Sequence, residues 1–158
     1  MNTTITYLGD TVNNFPSTPP TAGAHCLVWA IDIAGIERRR EAKCQLRSAA
    51  TRALEASRAC GDLKHLVIPY RAASAHRRFL HFTAQSNARR LHSELERAHG
   101  RYVDVVLIDV SEIDDNHLLT QRVDELACTG RGIVGYAAIS WEVLRSESIR
   151  EACTRDVI

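Results

Sequence analysis

One pattern constrains this chain more than any other. A short, densely apolar segment is followed by a long amphipathic one and then by a glycine, three times over. Residues 26–32 (CLVWAID) are apolar nearly throughout, which predicts a strand buried on both faces. Residues 36–59 then switch to helical spacing. Ala42, Leu46, Ala49, Ala50 and Ala53 form one face, Arg40, Lys43 and Arg47 another, and Gly61 is expected to stop the helix in a left-handed conformation. Strand 65–70 (HLVIPY) leads to a helix over 75–99, with Leu80, Ala84, Ala88, Leu91, Leu95 and Ala98 on one side, and then Gly100. Strand 102–110 leads to a helix over 116–128, with Leu119, Val123, Leu126 and Ala127 inside, and then Gly130. A last strand, 132–139, feeds a helix over roughly 141–153.

Alternation of this kind argues for parallel strands, because each crossover needs a helix to bring the chain back to the same end of the sheet. The expected fold is α/β: a three-layer α/β/α sandwich around a mostly parallel four- to five-stranded sheet, with right-handed crossovers and helices on both faces. Residues 3–8 (TTITYL) would add an edge strand. Pro69 suits a strand end better than a central position. Residues 78–84 (RFLHFTA) leave a second pattern open. As a strand they would give β-α-β-β-α-β, a ferredoxin-like α+β fold. The unbroken spacing of Leu80, Ala84, Ala88 and Leu91 favours a helix.

The 158 residues suit one domain with a real core. Residues 1–24 contain Gly9, Asn13, Asn14, Pro16, Pro19, Pro20 and Gly23, and read as an arm or linker with a possible edge strand. Residues 25–158 form the single α/β domain. A formal net charge of +1 gives the chain as a whole no drive toward nucleic acid or an anionic membrane. No signal-like start and no run of eighteen apolar residues is present, so the expectation is a cytoplasmic protein without a membrane span. Eighteen of the twenty basic residues are arginine, the exceptions being Lys43 and Lys64, which fits a GC-rich, bacterial coding sequence. Cys26, Cys44, Cys60, Cys128 and Cys153 are odd in number and have no zinc-ligand spacing. They read as reduced packing residues.

In open parallel sheets, ligands bind beyond the carboxyl ends of the strands. That rim would carry Asp32, Arg71, Ser74, Arg77, Asp109 and Ser140. Asp32 and Asp109 could hold Mg2+ through their oxygens, or each could cap the turn that follows. Ser74, with Arg77 and Arg78, opens a helix where backbone N–H groups could take a phosphate or carboxylate. No dinucleotide or P-loop glycine motif occurs. His92-Ser93-Glu94 lacks the paired cysteines of a zinc deaminase, and His81-Phe82-Thr83 has no second copy. No catalytic set is complete. Arg40, Lys43 and Arg47 on one helix, and Arg78 and Arg89 on another, could form nucleic-acid stripes if both helices lie on one face of the sheet. Aromatic partners are few, at 6%.

From residue 26 onward the element order resembles a compact von Willebrand factor A domain. In that family a strand ends in D-x-S-x-S, a long helix follows, and a later strand ends in a second aspartate. Asp32-Ile-Ala34-Gly-Ile36 holds the first place here and Leu-Ile-Asp109-Val-Ser111 the second. Ala34 and Ile36 stand where the family has metal-ligating hydroxyls. The resemblance therefore implies the Rossmann-like fold without a complete metal site.

The leading expectation is a non-enzymatic regulatory or interaction module with a protein partner and no cofactor. The alternatives are a metal-dependent enzyme acting on phosphate-containing substrates and a nucleic-acid binder.

Overall fold

The computed structural model describes residues 4–10, 23–130 and 134–155. Five strands form one sheet: β1 (Ile5–Gly9), β2 (Cys26–Ile33), β3 (His65–Ala72), β4 (Asp104–Asp109) and β5 (Tyr136–Ser140). All four pairings are parallel, and the spatial order is the chain order. The helices are α1 (Arg39–Arg58), α2 (Arg77–His99), α3 (Asn116–Ala127), α4 (Trp141–Ser146) and α5 (Ile149–Arg155). The expected α/β sandwich is the fold found. Residues 78–84 lie inside α2, which removes the ferredoxin-like alternative. The final helix, expected as one, is two. Most of the proposed arm, residues 11–22, lies outside the described residues.

The sheet divides the core in two. Alternate β2 residues Leu27, Ile31 and Ile33 join α1 and α2 on one side. Their neighbours Cys26, Val28 and Ala30 join α3, α4 and α5 on the other. This is the period-two alternation of a strand buried on both faces. The strands step one way across the sheet, so crossovers through opposite faces have opposite hands. The β4–α3–β5 connection therefore differs in hand from the two before it. A uniformly right-handed set, the usual preference, would have left one face bare.

Pro69 was expected near a strand end, yet it lies in β3, the middle strand. It has no N–H to donate, and pairing with β2 lapses there. The register runs Cys26–Val28 against His65–Val67 and resumes with Ile31–Ile33 against Tyr70–Ala72. Gly61 is not left-handed, and α1 ends at Ala59 in ordinary right-handed geometry. Gly100 does cap α2 at φ 65°, donating to the Glu96 carbonyl. Gly9 is required for space: a Cβ there would sit 2.3 Å from the Ala30 carbonyl oxygen.

At the amino ends of the strands, His65 and Asp104 are fully buried. His65 Nδ1 and Asp104 Oδ2 lie 3.2 Å apart, close enough for an ion pair but outside hydrogen-bond geometry. His65 Nε2 donates to the Thr129 carbonyl at 3.1 Å, and Asp104 Oδ1 accepts from Gly135 N–H at 2.9 Å. The two side chains thus tie down both flanks of the α3–β5 connection. Of the cysteines, Cys26, Cys60 and Cys153 are buried, but Cys44 and Cys128 are exposed and do not pack. No helix among the described residues is long and apolar enough to cross a membrane.

Candidate functional site

The rim forms at the carboxyl ends of β2, β3 and β4, but its charges satisfy one another. Asp32 and Arg71 are register partners on neighbouring strands, and Arg71 donates to both carboxylate oxygens, at 2.6 and 3.4 Å. Burial opposes the charged form of Asp32. The Arg71 guanidinium and the Ala34 N–H outweigh it and hold the carboxyl below its usual range. Asp109 accepts from Arg77 Nε at 2.9 Å and from the N–H and hydroxyl of Ser111. Arg77 also reaches Glu112 at 2.6 Å. The Ser111 hydroxyl oxygen in turn accepts from Ala72 N–H.

Asp32 and Asp109 are separated by all of β3, two strand spacings or about 10 Å. Each is held by its own arginine. This arrangement gives a shared magnesium ion no support. Among the described residues, no three His, Cys, Asp or Glu side chains gather as metal ligands would. Ser74 opens a short 3-10 turn, is exposed and makes no capping bond. Ser140 precedes α4, likewise without a capping bond. The structure thus builds two local pairs from the six expected rim residues and leaves both serines outside them.

The arginine stripes behave differently. α1 and α2 pack side by side on one face of the sheet, which is the condition for the stripes to merge. Eleven of the chain's twenty basic residues and four of its nineteen carboxylates lie on these two helices, a formal +7 against +1 for the whole chain. Arg58 spends its charge on Glu55 and Glu94, and Arg77 serves the rim. Among the described residues, no ion pair engages Arg39, Arg40, Lys43, Arg47, Arg78, Arg89 or Arg90.

The helical period explains the convergence. On α1, Arg40, Lys43 and Arg47 recur at i, i+3 and i+7, beside the buried stripe. Lys43 reaches over the Phe79 ring of α2 at 5.9 Å, and Arg39 does so at 5.0 Å. Arg90 of α2 crosses to Thr51 Oγ1 at 3.1 Å. Partial burial, with the like charge of Arg47 added, lowers the Arg90 pKa from its ordinary value. Arg78, Phe82 and Arg89, at i, i+4 and i+11, share the outermost stripe of α2. Phe82 is 69% exposed, the most exposed large apolar side chain described.

The sequence reading missed both phenylalanines, because a low aromatic total says nothing of where the few aromatics stand. The signal was present in Arg78-Phe79-Leu80-His81-Phe82, where two rings flank the one buried leucine. Comparison with protein-family models, with curated proteins and with solved structures finds no match to this chain.

Proposed function

We propose that this protein is a binding module that holds single-stranded nucleic acid on the outer face of α1 and α2. One observation carries the reading: among the described residues, seven cations without an ion pair lie on the outer face of two adjacent helices, with Phe82 exposed beside them. Cations that repel one another gain most from an anion placed between them. A phosphate between Arg47 and Arg90 would relieve the repulsion that Arg90 already feels. Arginine suits this work because its planar fork meets phosphate with two donors. Phe82 favours a single strand over a duplex. A ring exposed between Arg78 and Arg89, with only the edge of His81 against it among the described residues, can stack on an unpaired base, while a duplex offers it none. Paired rim charges and an unpaired helix face together support ligand binding on the helix side rather than at the strand ends.

Fluorescence anisotropy with an oligothymidine of about twelve nucleotides, its RNA counterpart and a duplex of the same length tests the reading. With about five phosphate contacts, the logarithm of the single-strand affinity should fall with the logarithm of salt at a slope of about −3.5. Replacing Phe82 with Ala should cost the single strand about 1–3 kcal/mol and the duplex little. Retention on anionic vesicles without retention of any oligonucleotide at low salt would overturn it.

A further inference from the structure

The outer edge of β5 is a second surface, on the other flank of α2. Among the described residues β5 pairs only with β4. The Gly135 carbonyl accepts from Val105 N–H at 2.9 Å, and Val105 stands opposite Tyr136. In a parallel ladder this turns Gly135, Ala137 and Ile139 toward β4. Tyr136, Ala138 and Ser140 therefore present their own N–H and C=O groups outward. Residues 134–140 (VGYAAIS) carry none of the usual protection of a free edge: no proline, no lysine, no charge. The opposite edge strand differs, with Thr6 and Tyr7 of β1 buried.

A groove of about 620 Å³ follows this edge. Its two walls have different chemistry. His81 and Gln85 of α2, with Tyr102, line one side of the sheet; Val143, Ala152 and Cys153 line the other. Ala138 packs toward the α2 side, and Ala137 and Ile139 toward the α5 side. Among the described residues, no carboxylate lines the groove. Arg155, at its end, is paired with Glu147 at 2.6 Å. Of α2, which carries a formal +3, no arginine lines the groove, but Arg78 and Arg89 stand one turn from His81 and Gln85.

We infer that the β5 edge takes up an extended, acidic segment of a partner protein as a sixth strand. Side chains of an added strand alternate between the two walls. Every second residue then carries a carboxylate toward α2, and those between are small and apolar toward α5. A second copy of this chain fits less well. Antiparallel pairing of two β5 edges would bring α2 beside its own copy, setting +3 against +3.

The probe is a capped peptide of about six residues alternating Glu and Val, with amide exchange followed by NMR. Bound peptide should slow exchange at the Tyr136 and Ala138 amides about tenfold or more and leave Ala137 and Ile139, already bonded to β4, unchanged. A Lys-Val version should bind about tenfold more weakly, and methylating alternate peptide nitrogens should abolish binding. Ala138→Pro removes one outward N–H without touching the β4 ladder, so it should weaken binding while the rest of the spectrum is kept. The inference is overturned if the outward amides stay unprotected at millimolar peptide. It is also overturned if the methylated peptide binds equally well, or if those amides are already protected in a protein with the mass of a dimer.

Discussion

The two helical faces of this sheet use arginine in opposite ways. On the α1–α2 side the helices are long, 20 and 23 residues, and their packing is carried by fully buried side chains such as Leu46, Leu80 and Leu91. Among the described residues, most of their outer arginines form no ion pair. On the other side α3, α4 and α5 have 12, 6 and 7 residues, too short to be stable by helical hydrogen bonding alone. There the arginines are engaged, beside a buried apolar core. Arg122 of α3 donates to the Leu144 carbonyl of α4 at 3.0 Å and pairs with Glu125. Arg145 pairs with Asp114, which also accepts from Trp141 Nε1 at 2.8 Å. Arg155 pairs with Glu147. The difference teaches that a long helix anchored mainly by its apolar face leaves most of its charges free for a ligand.

The sharpest way to break the comparison lies at the seam between the faces. Asp104→Ala would remove the acceptor of the Gly135 N–H and the carboxylate that stands 3.2 Å from the buried His65 Nδ1. It should cost about 3–5 kcal/mol in urea unfolding, the scale of a broken buried pair. Loss of less than about 1 kcal/mol would show that the pair does not anchor the α3–β5 connection. Next in size, reversing charge on the free side (Arg47→Glu with Arg89→Glu) should weaken oligonucleotide binding about a hundredfold, or about 2.7 kcal/mol, with little change in stability. The matched reversal of Arg145 should leave binding unchanged. If both variants bind alike, the free arginines are not the ligand surface.

Arg122→Ala should lose about 1–2 kcal/mol, because it strips a charged donor from the Leu144 carbonyl. Arg47→Ala should stay within about 0.5 kcal/mol of the parent, and equal losses would erase the contrast. The smallest expected effect is a pH dependence. Hydrogen bonds from Arg145 and Trp141 lower the Asp114 pKa to about 2, from 3.8. A carboxyl whose folded pKa is depressed adds stability above its unfolded value and loses it as pH falls through the folded one. Acid titration should therefore show a loss between about pH 4 and 2, absent in Asp114→Asn, with Trp141 fluorescence as the probe.

Strand and helix positions were legible because burial imposes its period on the sequence. A strand covered on both faces must be apolar throughout, as residues 105–108 are, and a helix covered on one face must repeat as Leu80, Ala84, Ala88 and Leu91 do. Where elements are short and held by polar contacts, that period fails. The break between α4 and α5 leaves no trace in the apolar pattern; its signal is the capping box Ser148-Ile-Arg-Glu151, in which Ser148 N–H donates to Glu151 at 2.8 Å and Glu151 N–H to Ser148 Oγ at 3.2 Å, a motif that apolar spacing passes over. The rim candidates were located at the strand ends, but their pairing was not, because Asp32 meets Arg71 only through the register of two strands 39 residues apart.

What the sequence determined by itself is the set of parallel strands and the helices between them, since the hydrophobic effect acts on each segment's own pattern. Tertiary structure alone decided three things: that α1 and α2 share a face and join their cations, that Asp32 and Asp109 stand apart, and that β5 keeps, among the described residues, an unpaired edge. Each depends on strand order and crossover hand. These are set by how whole elements pack against one another, and no single segment encodes them.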